Sequence, residues 1–186
     1  MIYSQDYTSI HIPIWRQELS KFKDKPCRML ELGVFEGRSS VWFLENILTH
    51  AESKLYVVDT FEGGADQVGV IDCQNIREKF LENTRPYSKK IKTYIGKSED
   101  MLPTIQDHFD IIYIDASHLV WDVLSDLVLS WKLLKQGGIL MMDDVEWSGD
   151  SEVWRRPRVA VDAWLQCNKT RFNLIHMGNI CIVEKI

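Results

Sequence analysis

The sequence has few cysteines, and their spacing forms no known motif. The four cysteines stand at positions 27, 73, 167 and 181 of a 186-residue chain, without a Cys-x-x-Cys pair. Zinc sites and thioredoxin-like redox sites depend on such pairs, so neither is predicted. Scattered single thiols also favour a reducing compartment over a disulfide-stabilised secreted fold.

Basic stretches are scarce as well. The chain carries 22 Lys and Arg residues against 27 Asp and Glu residues, a net charge of −5. Its one basic cluster, Arg155-Arg156-Pro157-Arg158, is short, and we interpret it as a solvated turn or an anion contact. Because nucleic-acid-binding surfaces are usually basic, no nucleic-acid partner is expected.

Long hydrophobic runs are missing from the sequence. No window reaches the length of a membrane span, and the first residues lack the basic-then-apolar layout of a signal peptide. We therefore expect a cytoplasmic protein without a membrane partner. A hydrophobic content of 45% in 186 residues is enough for one domain with a sizeable core.

The most informative stretch that the sequence does contain is Met29–Ser40. It reads Met-Leu-Glu-Leu-Gly-Val-Phe-Glu-Gly-Arg-Ser-Ser, an apolar run followed by two glycines and a serine pair. This pattern predicts a strand, a tight turn and the start of a helix. Such a turn presents backbone N–H groups and the positive end of a helix dipole to a ligand.

Strand and helix patterns alternate between residues 27 and 144, which predicts an α/β fold with a doubly wound, mostly parallel sheet. The tight turn Gly178-Asn179 predicts a C-terminal antiparallel hairpin. We divide one domain into a helical extension (1–26), an α/β core (27–144) and a C-terminal region with a loop, a helix and the terminal hairpin (145–186). The predicted strands are Cys27–Leu32, Lys54–Asp59, Ile91–Ile95, Phe109–Ile114, Ile139–Met142, Phe172–Met177 and Ile180–Val183, and the predicted helices are Ile14–Phe22, Arg38–Leu48, Ile76–Leu81, a short helix containing Pro103, His118–Leu134 and Val159–Leu165.

Acidic and polar residues follow several of these strands. Ligands of doubly wound sheets bind beyond the carboxyl ends of the strands. Asp59, Lys97-Ser98, Asp115 and Asp143-Asp144 would meet there. Two polar loops, Glu62–Cys73 and 145–158, would flank the same edge and carry specificity.

These residues, in this order, resemble class I S-adenosylmethionine (SAM)-dependent methyltransferases over residues 27–186. Glu31-x-Gly33-x-x-x-Gly37-x-Ser39 is similar to their first motif, Asp59 to their ribose-binding acid, and Gly96–Glu99 to their adenine-side turn. The resemblance implies a Rossmann-like methyltransferase fold and SAM as cofactor. The cofactor-binding residues that it implies are Glu31, Gly33, Phe35, Gly37, Ser39, Asp59, Thr60, Ser98, Glu99 and Asp115.

Glu31 separates this class from nicotinamide-dependent oxidoreductases, whose turn usually reads Gly-x-Gly-x-x-Gly. An acid two residues before Gly33 would repel a pyrophosphate but attract the ammonium group of a methionine moiety. The alternative for Glu31 is a strand-end acid in a salt bridge. Asp59 does not discriminate, because dehydrogenases place an acid similarly.

Within this class the sequence is more similar to metal-dependent O-methyltransferases. The catechol branch has Asp-Asn and Lys where this chain has Asp143-Asp144 and His118, so the macrocin-type sugar O-methyltransferases match better. By resemblance, Asp115, Asp143 and Asp144 would hold a divalent cation, with Mg²⁺ preferred over Mn²⁺ or Ca²⁺. His118 would be the general base.

The chemistry of these side chains agrees with that assignment. Three converging carboxylates repel one another unless protons or a cation neutralise them, and oxygen ligands suit Mg²⁺. A histidine with an ordinary pKa of about 6.5 accepts a proton near neutrality. Several of these residues have structural alternatives. Ser117 caps a helix with His118 paired to Asp122, and Asp144 pairs with an arginine at 155–158. Asp126, on a helical face similar to that of His118, either orients His118 or lies on the surface. Trp147 and Trp154 either line a flat substrate pocket or cover the core.

The sequence therefore predicts a SAM-dependent enzyme that methylates a hydroxyl of a small molecule, a sugar or a catechol-like phenol. The alternatives are a metal-independent methyltransferase with another acceptor and a non-catalytic SAM-binding module. Methylation of nucleic-acid bases is disfavoured, because the place of an Asn/Asp-Pro-Pro-aromatic motif reads Asp115-Ala116-Ser117-His118. Homo-oligomerisation is left open.

Overall fold

The computed structural model describes residues 2–64, 75–149 and 152–186. Within these residues, seven strands form one sheet in the order β3-β2-β1-β4-β5-β7-β6. The strands are β1 Arg28–Leu32, β2 Lys54–Asp59, β3 Ile91–Ile95, β4 Phe109–Ile114, β5 Leu134–Met142, β6 Phe172–Met177 and β7 Cys181–Lys185, and the α-helices are α1 Ile12–Leu19, α2 Arg38–Asn46, α3 Ile76–Thr84, α4 Ser98–Met101, α5 Val120–Leu133 and α6 Pro157–Asn168.

Strand direction agrees with the predicted fold class. The first five strands pair in parallel, and β7 pairs antiparallel with both β5 and β6. From β1 to β3 each new strand is added on one side of β1, and after β3 the chain returns to the centre and adds β4 on the other side of β1. The direction of strand order therefore reverses between β1 and β4. A ligand-binding crevice is expected at this switch point, outside the carboxyl ends of β1 and β4.

Both faces of the sheet are covered, which explains the near-continuous apolar runs of β1 and β4. Successive residues of β1 enter opposite layers, because side chains alternate along a strand. Met29 joins the layer of α1, α2 and α3, which holds Trp15 and Phe43. Leu30 joins the layer of α5 and α6, together with Leu127.

The largest difference from the sequence-based prediction lies between His118 and Gly138. Helix α5 begins at Val120 and ends at Leu133, and β5 begins immediately at Leu134 instead of Ile139. Leu134 continues the helical spacing of apolar residues, but it pairs with Phe109 of β4. The prediction failed here because that strand pairing is non-local. His118 therefore precedes the helix.

Other boundaries moved less. Helix α2 ends at Asn46, α3 continues to Thr84, and α6 runs from Pro157 to Asn168, with proline at a first-turn position that it favours. Of the predicted loop Glu62–Cys73, residues 65–73 lie outside the described residues. Within the part of the chain that the structure describes, no helix has both the length and the apolarity needed to cross a membrane.

Candidate functional site

The glycine turn after β1 packs directly against the end of β4. Gly33 has φ +77°, and a Cβ atom there would lie 1.9 Å from the carbonyl oxygen of Asp115. Gly37, with φ +82°, precedes α2, and a Cβ there would lie 2.9 Å from the Phe80 ring. Only glycine combines this backbone conformation with so close an approach. The turn thus brings the start of α2 beside the acidic end of β4.

Asp59 fastens this turn to the end of β2. Its Oδ2 accepts hydrogen bonds from the backbone N–H groups of Val34 (2.6 Å) and Phe35 (3.2 Å), and its Oδ1 accepts one from Phe61 (2.7 Å). Asp59, which the sequence predicts to bind a ribose, therefore also stabilises the conformation of the glycine turn. Its remaining acceptor capacity faces the cavity, which it lines.

Glu31 lies behind the turn and has no exposed surface. The hydroxyls of Ser39 and Ser40 donate to its carboxylate, Ser40 at 2.6 Å. Burial raises the pKa of Glu31 to about 7, against the lowering effect of the two hydroxyls, while the charge of Asp59 raises it further. Its partners among the described residues are hydroxyls, so the salt-bridge alternative does not hold there.

Three side chains at the ends of β4 and β5 form a group that is able to hold a metal ion. Asp115, His118 and Asp144 each offer one ligand atom, and these atoms lie within 4.8 Å of one another. Nε2 of His118 is 3.0 Å from Oδ2 of Asp144. The Asn179 amide donates to Oδ1 of Asp144 at 3.3 Å, and Asp144 has a left-handed backbone with φ 52°.

Asp143 has a different environment from the one predicted. Nε2 of His11 is 3.2 Å from its Oδ1, which also accepts the backbone N–H of Asp144 at 2.8 Å. The hydroxyl of Tyr113 donates to its Oδ2. The predicted ligand set of Asp115, Asp143 and Asp144 therefore differs from the group found here, in which His118 stands in place of Asp143.

Electrostatics show that this cluster carries more negative charge than its surroundings favour. Burial, together with the charges of Asp143 and Asp144, raises the pKa of Asp115 well above its ordinary value. Burial also raises the pKa of Asp143, although His11 and Tyr113 oppose the shift. Burial of Asp144 disfavours its charge, but His118, Asn179 and His11 together lower its pKa below the ordinary value. A divalent cation would relieve this repulsion, so the donor set fits one.

The His118 ring is held by contacts other than those of the predicted helix cap. Ser117, not His118, donates to Asp122, at 2.6 Å, and accepts the N–H of Leu119 at 3.2 Å. The His118 ring stacks on Trp147, with centroids 4.8 Å apart and planes at 19°. Trp147 also lines the cavity, which agrees with the predicted alternative that it lines a pocket.

Three further alternatives can be compared with the structure. Arg158 pairs with Asp162 and Glu146, whereas Asp144 contacts His118 and Asn179. The surface position proposed for Asp126 is wrong, since its relative exposure is 1%. Trp154 is exposed, and its indole donates to Glu152 at 2.9 Å.

One cavity of about 720 Å³ connects the glycine turn with the acidic cluster. Of the predicted cofactor-binding residues, Glu31 and Gly37 are not among those that line it. Asp126, which the sequence did not identify as a site residue, does line it. The predicted residues that line the cavity are Gly33, Phe35, Ser39, Asp59, Thr60, Ser98, Glu99, Asp115, His118, Asp143 and Asp144.

The N-terminal segment 4–11, here called the strap, forms another wall that sequence reasoning missed. Ser4 donates its N–H and hydroxyl to Glu36, at 2.6 and 2.8 Å. Arg38 pairs with Asp6 at 2.7 Å, and His11 reaches Asp143. The strap has no periodic pattern, and its partners are far along the chain, so no local signal reveals its role.

The methyltransferase-domain family matches residues 30–145, and the chain belongs to this family. The O-methyltransferase hkm8 of Aspergillus hancockii is 32% identical over 120 residues, which are 64% of this chain and 43% of hkm8. The chain thus spans less than half the length of this curated relative.

Solved structures share the fold at low sequence identity. The MycE methyltransferase of the mycinamycin biosynthetic pathway, in complex with Mg and SAH, matches 97% of this chain and 51% of its own, with 16% identity and a TM-score of 0.67. TomG of Streptomyces achromogenes, an O-methyltransferase in complex with SAM, has 17% sequence identity and a TM-score of 0.67. The match covers 95% of this chain and 78% of TomG. A putative O-methyltransferase of Klebsiella pneumoniae has 15% sequence identity and a TM-score of 0.72. The match covers 99% of this chain and 83% of that protein. The Rossmann-like methyltransferase fold is thereby confirmed.

Proposed function

We propose that this protein is a SAM-dependent methyltransferase that methylates a hydroxyl group of a small molecule with the help of a divalent cation. The observation that carries the proposal is the single cavity that joins the glycine turn and Asp59 to the group Asp115, His118 and Asp144. The names of hkm8 and TomG, and the Mg and SAH in MycE, agree with it.

The donor side of the cavity is built from the turn, α2 and β2. When bound there, SAM supplies an electrophilic methyl group. The N terminus of α2 and the Ser39 hydroxyl suit the methionine carboxylate, because a helix start favours negative charge. Asp59 accepts hydrogen bonds from the ribose hydroxyls with the lone pairs that its backbone partners leave free. Glu31 lies behind Ser39 and does not line the cavity, so in its ionised form it would attract the ammonium group at a distance and not by direct contact.

The acceptor side contains the acidic cluster. Asp115 and Asp144 would hold the cation, which would lower the pKa of an acceptor hydroxyl and fix its orientation. Mg²⁺ suits these oxygen ligands best. Asp143, held by His11 and Tyr113, supports Asp144 through the backbone N–H that it accepts.

His118 is the proposed general base. Its ring is oriented by Asp144 on one edge and by Trp147 on one face. It takes the hydroxyl proton, and the acceptor oxygen is then aligned with the methyl group in the same cavity. Alignment of two reactants in one site supplies a large part of the rate in such reactions.

The test is turnover with a panel of catechols, phenols and sugars, with SAM and either Mg²⁺ or EDTA. We expect S-adenosylhomocysteine (SAH) and a methylated product with Mg²⁺ and neither with EDTA, while SAH binding persists in both. Full turnover in EDTA would favour the metal-independent alternative. SAH binding without turnover on any acceptor would favour the non-catalytic module.

A further inference from the structure

Asp126 is a buried carboxyl group that the proposed reaction does not use. It lies on α5 with 1% of its surface exposed, yet it lines the cavity. Its Oδ1 has no hydrogen-bond partner among residues 2–64, 75–149 and 152–186. Buried polar atoms are rarely left unpaired in native proteins, so we expect a partner that these described residues do not supply.

The surroundings of Asp126 determine what that partner must offer. Burial raises the pKa of Asp126 to about 7, the Ser98 hydroxyl opposes the shift, and the charges of Asp122 and Glu99 add to it. Glu99 and Asp122 also line the cavity and bring acceptor oxygens of their own. This part of the cavity is rich in acceptors, so a complementary ligand must bring a hydrogen-bond donor.

The position of Asp126 indicates which part of the ligand reaches it. In the proposed function the methyl group faces Asp115 and Asp144 at the ends of β4 and β5, and the ribose lies at Asp59 at the end of β2. The base of the nucleoside then extends beyond β2 towards the turn after β3. Ser98 begins α4 at that turn, and α4 packs against α5, which carries Asp126.

We propose that Asp126 accepts a hydrogen bond from the 6-amino group of the adenine base and so selects adenine over a 6-oxo purine. This inference rests on the proposed function, because it assumes that the ligand is SAM or SAH. Asp126 would be a specificity-determining residue for the cofactor, without contact with the reacting atoms.

The test compares SAH with S-inosylhomocysteine, in which an oxo group replaces the 6-amino group, by isothermal titration calorimetry. Wild-type protein should prefer SAH by at least about tenfold, because a site built for a donor rejects an analogue without it. In Asp126→Asn this preference should shrink by about tenfold or reverse, since an amide can donate to the oxo group. Asp162→Asn, the same exchange at an exposed residue of α6 that pairs with Arg158 away from the cavity lining, should keep the wild-type ratio.

Each other outcome counts against a defined part of the account. Equal affinity of the wild-type protein for both nucleosides overturns the inference, and this result does not depend on any variant folding. An unchanged ratio in a folded Asp126→Asn variant, with its thermal unfolding measured alongside, also overturns it while the proposed function stands. Failure of SAH to bind the wild-type protein overturns both.

Discussion

Glu31 is a carboxyl group that costs the folded state free energy. Its pKa of about 7 in the native protein lies above the ordinary value of 4.5. Between these two pH values the unfolded chain has lost this proton and the folded chain has kept it, so stability falls as pH rises. Above pH 7 both states are ionised, and the cost stays constant at about 3 kcal/mol.

Glu31→Gln should therefore stabilise the protein at pH 8 by up to about 3 kcal/mol and leave it unchanged below about pH 4.5. Urea unfolding across this range measures the difference between the two curves. The exposed substitution Glu78→Gln on α3 serves as control and should give a parallel curve. A parallel curve for Glu31→Gln would contradict the account. The same variant should bind SAH more weakly at pH 8, where the ionised Glu31 behind the turn attracts the ammonium group.

Alanine substitutions at Gly33 and Gly137 separate the effect of close packing from the effect of backbone strain. Both have positive φ, +77° and +73°, but a Cβ at Gly137 meets nothing within 4 Å. Gly137→Ala should cost about 1–2 kcal/mol of backbone strain. Gly33→Ala should cost clearly more and abolish SAH binding, because its Cβ would displace the end of β4. Equal losses of unfolding free energy in the two variants would refute the close-packing explanation.

At the level of elements, the sequence predicts strands better than it predicts the contacts between distant segments. The ranges of β2, β3 and β4 agree with the prediction. The strands β2 and β4 are short, mostly apolar runs, whereas β3 alternates apolar and polar residues as Ile-Lys-Thr-Tyr-Ile. The α5–β5 junction was misplaced because Leu134 is defined by its pairing with Phe109. The acids at strand ends follow from topology, whereas the strap and Asp126 depend on folded contacts that no local pattern encodes.

The strap should open when its buried anchor is weakened. Glu36 is 1% exposed and holds both Ser4 and Lys79, at 2.6–2.8 Å. Although its burial works in the opposite direction, these partners lower its pKa. Glu36→Gln should raise hydrogen exchange of peptides covering residues 2–11, because a buried charge-assisted contact is worth about 1.5–3 kcal/mol.

The matched control for the strap is Asp6→Asn. It removes the partly exposed Arg38 pair, and such pairs contribute about 0–1 kcal/mol. Exchange in the strap should change little in this variant. If Glu36→Gln leaves exchange at the wild-type level, the strap is held by other contacts, and its role as a wall of the cavity loses its support.

For the molecule as a whole, the acidic cluster predicts a dependence of stability on divalent cations. Binding of Mn²⁺ or Mg²⁺ to the folded state should raise the unfolding temperature, and EDTA should reverse the effect. Asp144→Asn should remove the shift. Asp162→Asn, which removes an exposed acid paired with Arg158, should retain it. His118→Ala should retain much of the shift but lose turnover; loss of the shift would mean that His118 is a ligand instead of the base.

The central claim is that the cavity binds SAM, and thermal unfolding with SAH, SAM or NAD tests it most directly. At a ligand concentration of 100 Kd, SAH should stabilise the folded state by about 2.7 kcal/mol. In a domain of this size that corresponds to about 5–10 °C. NAD should give no shift, because the turn lacks the Gly-x-Gly-x-x-Gly pattern that binds a pyrophosphate. A shift with NAD and none with SAH or SAM would contradict the account.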